Sequence, residues 1–189
     1  MNLNNLKFDK KQEYSDGKYS VFSFSGEKGK FKRLSCDNTS ICVIPFNTNH
    51  ANQIKNVFLA KYHDYLSNSS ELRCISDTID LDKSDSHYSA LLDCIKNELN
   101  LDNIDVNDIY YLGKIKHTVP FSKEYRCYGV NISNFSDDSS NFTPNISQDS
   151  LANRLHTLET VKFNRILSGE ICDSLTLSAS LLLISYLND

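Results

Sequence analysis

A mixed α+β fold is predicted for this chain of 189 residues: a sheet flanked by helices, preceded by a small N-terminal antiparallel hairpin. Three observations predict it. Several segments in the first half alternate or run apolar at strand length. The stretch "YSALLDCIKNELNLD" repeats apolar residues at helical spacing. The C-terminal "CDSLTLSASLLLISYL" is long and apolar without strand alternation.

The elements follow in order. "KYSVFSFSGEKGKFKRLSC" alternates about Phe22 and Phe24, turns at "SGEKGK" and resumes with Phe31, giving a hairpin over residues 18–36. "SICVIPF" (40–46) is a compact apolar strand closed by Pro45. "IKNVFLAKYHDYL" (54–66) is a second, centred on Val57, Phe58 and Leu59, and "SELRCISDTIDLD" holds a short strand before a polar loop. In the helix, Leu91, Leu92, Ile95 and Leu99 share a face, and Ser84, Asp85 or Ser86 supplies the cap. "DIYYLGKIKHTV" and "EYRCYGVNIS" are strands joined around Pro120. Residues 134–150 form a polar, low-complexity loop. A helix is expected near 150–168, then a break at Gly169 and a buried apolar helix over 172–187. This divides the chain into a hairpin subdomain, 1–38, and a main domain, 39–189, that carries the polar loop.

Composition removes several function classes. The formal charge is −4 and no run of Lys or Arg stands out, so nucleic acid and anionic membrane are not expected partners. The N-terminus has no apolar core of signal-peptide length, and the apolar run around 181–187 is too short for a bilayer. A cytoplasmic or intracellular location is therefore expected. The six cysteines form no CxxC pair and are expected to be buried free thiols. The five histidines are scattered, which argues against zinc. Abundant Asn, Lys, Ile, Ser and Asp with no Trp is a bias of AT-rich genomes, such as those of a phage, a parasite or a small-genome bacterium.

The order of these segments resembles the Nudix superfamily, specifically its ADP-ribose pyrophosphatase-like branch. "CVIPF" and "VFLAKYHDY" stand where that branch has its "VIP" and "LLVRQYR" strands. "ELRCISDTIDLDKSDSHYSALLDCIKNELNL" follows the course from the Glu-Pro-Ala-Gly-like segment into the Nudix helix. "YYLGKI" supplies the Leu-Gly of the next strand, and Gly169, Ile171, Asp173 and Thr176 match a C-terminal Gly-x-Ile-x-Asp-x-x-Thr. The resemblance spans roughly residues 15 to 187. It implies the Nudix-like fold and, in many relatives, a homodimer formed through the N-terminal sheet.

The family's box ends in Arg-Glu-U-x-Glu-Glu-x-Gly-U, with U aliphatic. On this alignment its Arg falls on Asp93, the first Glu on Cys94, the Glu-Glu pair on Asn97 and Glu98, and the Gly on Asn100. The box is degenerate. Catalysis there implies Mg²⁺ or Mn²⁺ held by carboxylates one helical turn apart. Cys94 and Glu98 occupy that spacing, and a thiol serves Mg²⁺ badly. The family also takes a glutamate from a later loop, whereas this chain has no Glu between Glu124 and Glu159.

No catalytic residue, cofactor or metal is therefore expected, with Glu98 the metal ligand only if the chain is active. The first expectation is a catalytically inactive Nudix-like domain, a structural or interaction module that self-associates or docks on protein partners in a larger assembly, a phage virion being the setting the composition suggests. The alternative is a metal-dependent pyrophosphohydrolase acting on a nucleoside diphosphate of the ADP-ribose type.

Overall fold

The computed structural model describes residues 9–15, 19–26, 29–36, 39–64, 69–79, 87–99, 101, 103–117, 121–135, 156–171 and 173–188. The helix-cap candidates Ser84, Asp85 and Ser86, and the polar loop beyond Phe135, lie outside them.

The chain opens with a three-stranded antiparallel meander: β1 (Asp9–Ser15), β2 (Tyr19–Gly26) and β3 (Gly29–Cys36). The expected hairpin is β2–β3, with Phe24 opposite Phe31 across the turn. Strand β1 was not expected. Its sequence DKKQEYS is exposed throughout, so no buried face marks it. It is held by the ladder to β2, by the Lys10 ammonium 3.8 Å over the Phe22 ring, and by a Glu13–Lys32 ion pair at 2.6 Å.

The central strands are β4 (Ser40–Thr48) and β9 (Phe121–Asn131), which run parallel from Ser40 beside Tyr125 to Phe46 beside Asn131. Strand β9 begins alongside β3, at Leu34–Phe121 and Ser35–Ser122, which joins the meander to the main sheet. Strand β8 (Ile109–His117) lies antiparallel to β9. Strand β5 (Ile54–Asp64) pairs with the end of β4, then with β6 (Ser69–Arg73), while β7 (Ile75–Thr78) pairs with the start of β4. Helix α1 (His87–Leu99) crosses between β7 and β8. Strand β10 (His156–Lys162) pairs with β5 along residues 56–62, and α2 (Phe163–Leu167) and α3 (Ser174–Asn188) complete the chain.

Pro45 does not close β4, which continues to Thr48. The neighbouring Phe46 carbonyl accepts the Ile132 N–H at 2.8 Å, on the β9 side. Alternation turns Pro45 to the opposite edge, where the β7 ladder has ended at Val43 and the β5 ladder starts only at Phe46. The missing N–H falls where β4 exchanges partners, so it deprives no ladder of a hydrogen bond.

The sheet is covered on both faces. Ile41, Val43, Phe58, Ala60, Ile75 and Val130 meet α1 through Leu91, Cys94, Ile95 and Leu99. Cys42, Ile44, Phe46, Val57, Leu59 and Cys127 meet α2 and α3 through Ile166, Leu175, Ala179 and Leu183. This explains why "SICVIPF" reads as an unbroken apolar run: its odd and even positions feed different cores. In β8, Leu112 is an extra residue between the Tyr111–Tyr128 and Gly113–Cys127 pairs, and Gly113 takes φ +128°. The Leu-Gly pair therefore builds a bulge that favours glycine.

Three further expectations are corrected. The segment near 150–168 is not one helix; from His156 to Lys162 it is a strand, and only Phe163–Leu167 is helical. Thr157, Thr160 and Val161 are β-branched, and β5 offers them a free edge to pair with. Helix α3 is not buried all round: Leu181 is 61% exposed, and Tyr186 and Leu187 are exposed in the last turn. On α1, Leu92 is 36% exposed, because it sits about 100° round the helix from Leu91. Among the described residues, no helix is long and apolar enough to cross a membrane.

Gly129 sets how closely α3 approaches the sheet. A Cβ there would stand 3.0 Å from Leu183 Cδ1 and 3.3 Å from Phe46 Cε1. Gly129→Val is expected to cost about 1–3 kcal/mol, and Gly129→Ala less. Denaturant unfolding of both variants checks this; an unchanged midpoint for valine would mean that α3 does not seat against β9.

Candidate functional site

The box positions occupy the middle and end of α1. Leu91, Cys94, Ile95, Glu98 and Leu99 are its buried residues, spaced i, i+3, i+4, i+7 and i+8. Cys94 is 3% exposed and belongs to the apolar cluster with Ile41, Val43 and Ile75. Glu98 lies one turn further along and is 9% exposed. Asp93 and Asn97, the positions of the box Arg and of the first residue of its Glu-Glu pair, are exposed. The structure thus brings Cys94 and Glu98 together on the inward side and turns the other two to solvent.

These donors do not fit Mg²⁺ or Mn²⁺. Such ions take hard oxygen ligands in near-octahedral geometry, and this helix offers one inward carboxylate, Glu98, with Asp93 turned to solvent, a thiol enclosed by aliphatic side chains, and an exposed amide. Among the described residues, no group of three or more His, Cys, Asp or Glu side chains could hold a metal ion.

The surroundings of the helix start are cationic. Registers across β7, β4, β9 and β8 set Asp77, Ile41, Arg126 and Lys114 in one row on the α1 side. Burial pushes the His87 imidazole below its ordinary range, and the Arg126 and Lys114 charges act in the same direction. Among the described residues, His87 Nδ1 and Arg126 Nε are enclosed without a hydrogen-bond partner. Lys114 bonds Glu124 at 3.0 Å and holds that carboxyl below the usual range.

A cavity of about 280 Å³ opens near the start of α3, lined by Tyr62, Arg73, Cys74, Ser76, His117 and Tyr125, with Asp173 and Leu175. Its rim is tied together by Thr176, whose hydroxyl accepts the Cys74 N–H at 2.7 Å and donates to Asp173 Oδ2 at 2.6 Å. The same carboxylate oxygen accepts the Thr176 N–H at 2.8 Å, capping α3. The Asp-x-x-Thr spacing seen in the sequence is therefore a helix cap that also fastens the β6–β7 junction. Arg73 pairs with Glu71. Sequence reasoning did not foresee this cavity. Its residues come from five separate segments, and the only signal was the interruption of apolar alternation at "LRCIS". The tyrosines of β8 and β9 are engaged with other rings: Tyr111 with Tyr128 at 5.3 Å, Tyr110 with Tyr186 at 5.5 Å, and Tyr125 with His117 at 5.6 Å.

No protein-family model matches the sequence, and no curated protein matches it. Solved structures do match. An ADP compounds hydrolase superposes over 100% of this chain and 97% of its own, with a TM-score of 0.58 at 14% identity. The NUDIX domain of Shewanella oneidensis NrtR, crystallised with ADP ribose, gives 0.56 at 10% identity over 79% of this chain and 88% of its own. The C-terminal domain of mouse MUTYH, crystallised with human PCNA, gives 0.51 at 12% identity over 79% and 89%. These superpositions carry the fold: the chain has the Nudix fold.

Proposed function

We propose that this chain is a Nudix-fold module without metal-dependent diphosphatase activity, working as a structural or interaction domain. The observation that carries the reading is the fate of the box positions on α1. The first acid of the box is Cys94, packed into the aliphatic core, and the next is Asn97, turned to solvent. Removing one positioned acid or base costs about 10²–10⁴ in rate, and groups that act as a unit fail together. Glu98 alone supplies neither the charge nor the ligand number that a divalent cation takes from a protein.

An interaction role draws support from α3. Leu181 stands exposed one turn from half-buried Leu177 and Ile184, giving the helix an apolar outer side. The partner is a protein or a second copy of the chain, within an assembly for which the composition favours a phage particle. The matched MUTYH domain, crystallised with a protein partner, gives the same role a structural parallel.

The test is hydrolysis of ADP-ribose and a panel of nucleoside diphosphate compounds with Mg²⁺ or Mn²⁺, using the wild type beside Glu98→Gln. Both are expected to stay at background. Turnover in the wild type that Glu98→Gln abolishes would overturn the reading and establish the alternative, a metal-dependent pyrophosphohydrolase with Glu98 as ligand.

A further inference from the structure

Three thiols converge between the sheet and α3. Cys42 Sγ lies 3.2 Å from Cys74 Sγ, and Cys42 is the direct partner of Cys127 in the parallel β4–β9 register. All three are free and buried. Their access differs. Cys42 and Cys127 are wholly enclosed, whereas Cys74 forms part of the cavity wall beside Arg73, Ser76 and His117. Cys74, 2% exposed, is thus the one of the three that borders the cavity, with a second thiol in sulfur contact beside it. These side chains do not form a metal site: no described group of three or more His, Cys, Asp or Glu has that geometry.

We propose that Cys74 is an oxidant-reactive thiol and that Cys42 resolves it as an intramolecular disulfide. The oxidant is a small hydroperoxide that fits the cavity. With hydrogen peroxide, the Cys74 sulfur attacks one peroxide oxygen, the O–O bond breaks, and the thiol proton leaves with the other oxygen as water. The Cys42 sulfur then attacks the Cys74 sulfur, the S–O bond breaks, and the hydroxyl departs with the Cys42 proton as a second water. Two thiols lose two electrons in all, and the peroxide is reduced to two waters.

The geometry favours this pair. A disulfide has an S–S length of about 2.05 Å, so the two sulfurs close by about 1 Å to form one. The contacts with Cys127 and Cys74, together with burial, hold the Cys42 thiol well above the ordinary range. A thiol so held is a weak nucleophile, so it reacts poorly with external oxidants, and its attack on an oxidised Cys74 rests on the sulfur contact and not on its acidity. The bond would staple β4 to the β6–β7 junction, where the Cys74 N–H is already held by Thr176.

The experiment treats the full chain with hydrogen peroxide, alkylates the remaining thiols in denaturant, and maps disulfides by non-reducing mass spectrometry. The expected result is joint loss of two thiols, one Cys42–Cys74 cross-linked peptide, and reversal by dithiothreitol. Cys127→Ala should keep the cross-link, and Cys42→Ala should stop Cys74 at a sulfenic acid that dimedone captures. Mapping of the wild type decides the matter even where a variant fails to fold. A Cys42–Cys127 bond, bonds to Cys36 or Cys172, links between molecules, or intact thiols at a peroxide dose that oxidises a free cysteine peptide would each overturn the proposal.

Discussion

Cys94→Glu, which returns an acid to the first glutamate position of the box, is expected to cost about 3–5 kcal/mol of stability, the scale of an uncompensated buried charge. It is expected to gain no hydrolysis. Cys94 is almost fully enclosed among Leu91, Ile95, Ile41 and Ile75, so a carboxylate there loses its hydration. Glu98, one turn further on the same inward side, adds a like charge. The pH dependence has a definite sign. Desolvation raises the folded-state pKa of the new carboxyl above its unfolded value, so the variant is closest to wild type below the ordinary glutamate range. The deficit then grows as pH rises through the raised value. Urea unfolding at several pH values checks this, alongside the ADP-ribose assay. A stable, hydrolytic Cys94→Glu would show that this position opens onto a metal site and would sink the interpretation of α1 as a packing element.

Thr176→Val should cost about 2–3 kcal/mol while keeping the side chain's shape, because it strands a buried backbone donor. The Thr176 hydroxyl serves two partners at once: it receives the Cys74 N–H and donates to Asp173. Valine deletes both bonds, leaves the Cys74 N–H enclosed without an acceptor, and weakens the cap on α3. Thr176→Ser keeps the hydroxyl and should recover most of the loss, a rescue that pure packing at this site would not produce. Destabilisation by serine as large as that by valine in denaturant unfolding would show that keeping the hydroxyl does not protect the fold, and would overturn the hydrogen-bond account.

Much of the fold was legible because burial prints itself on sequence. The apolar run at 40–46 and the spacing of Leu91, Ile95 and Leu99 each follow from a face that must be covered. What escaped was set by partners distant in the chain. Strand β10 is a strand because β5 offers an edge, and nothing within "HTLETVK" excludes a helix strongly enough to overcome the apparent continuity with "FNRIL". Strand β1 escaped because none of its residues is buried. At the box, the residue types were legible and their orientation was not. Sequence alone shows a thiol and an amide in place of acids; only the packing shows Cys94 facing the core and Asn97 facing water. The cavity wall and the thiol contact were invisible, since Cys42, Cys74 and Cys127 are separated by long stretches of chain and meet only through the sheet register.

The parallel pairing of β4 with β9 has a kinetic consequence. Ser40 and Tyr125 are 85 positions apart, and Asn56 and Lys162, joined through β5 and β10, are 106 apart. Closing loops of that length precedes any reward from the ladder, so the sheet centre forms late and refolding is slow for a chain of this size. The pairings within the N-terminal meander are local, so β1–β3 can assemble before β9, which later joins β3, is synthesised. Until β10 arrives, the nascent chain presents one side of β5 as an unpaired edge carrying Val57, Phe58 and Leu59, the kind of surface through which unfinished chains stick to each other.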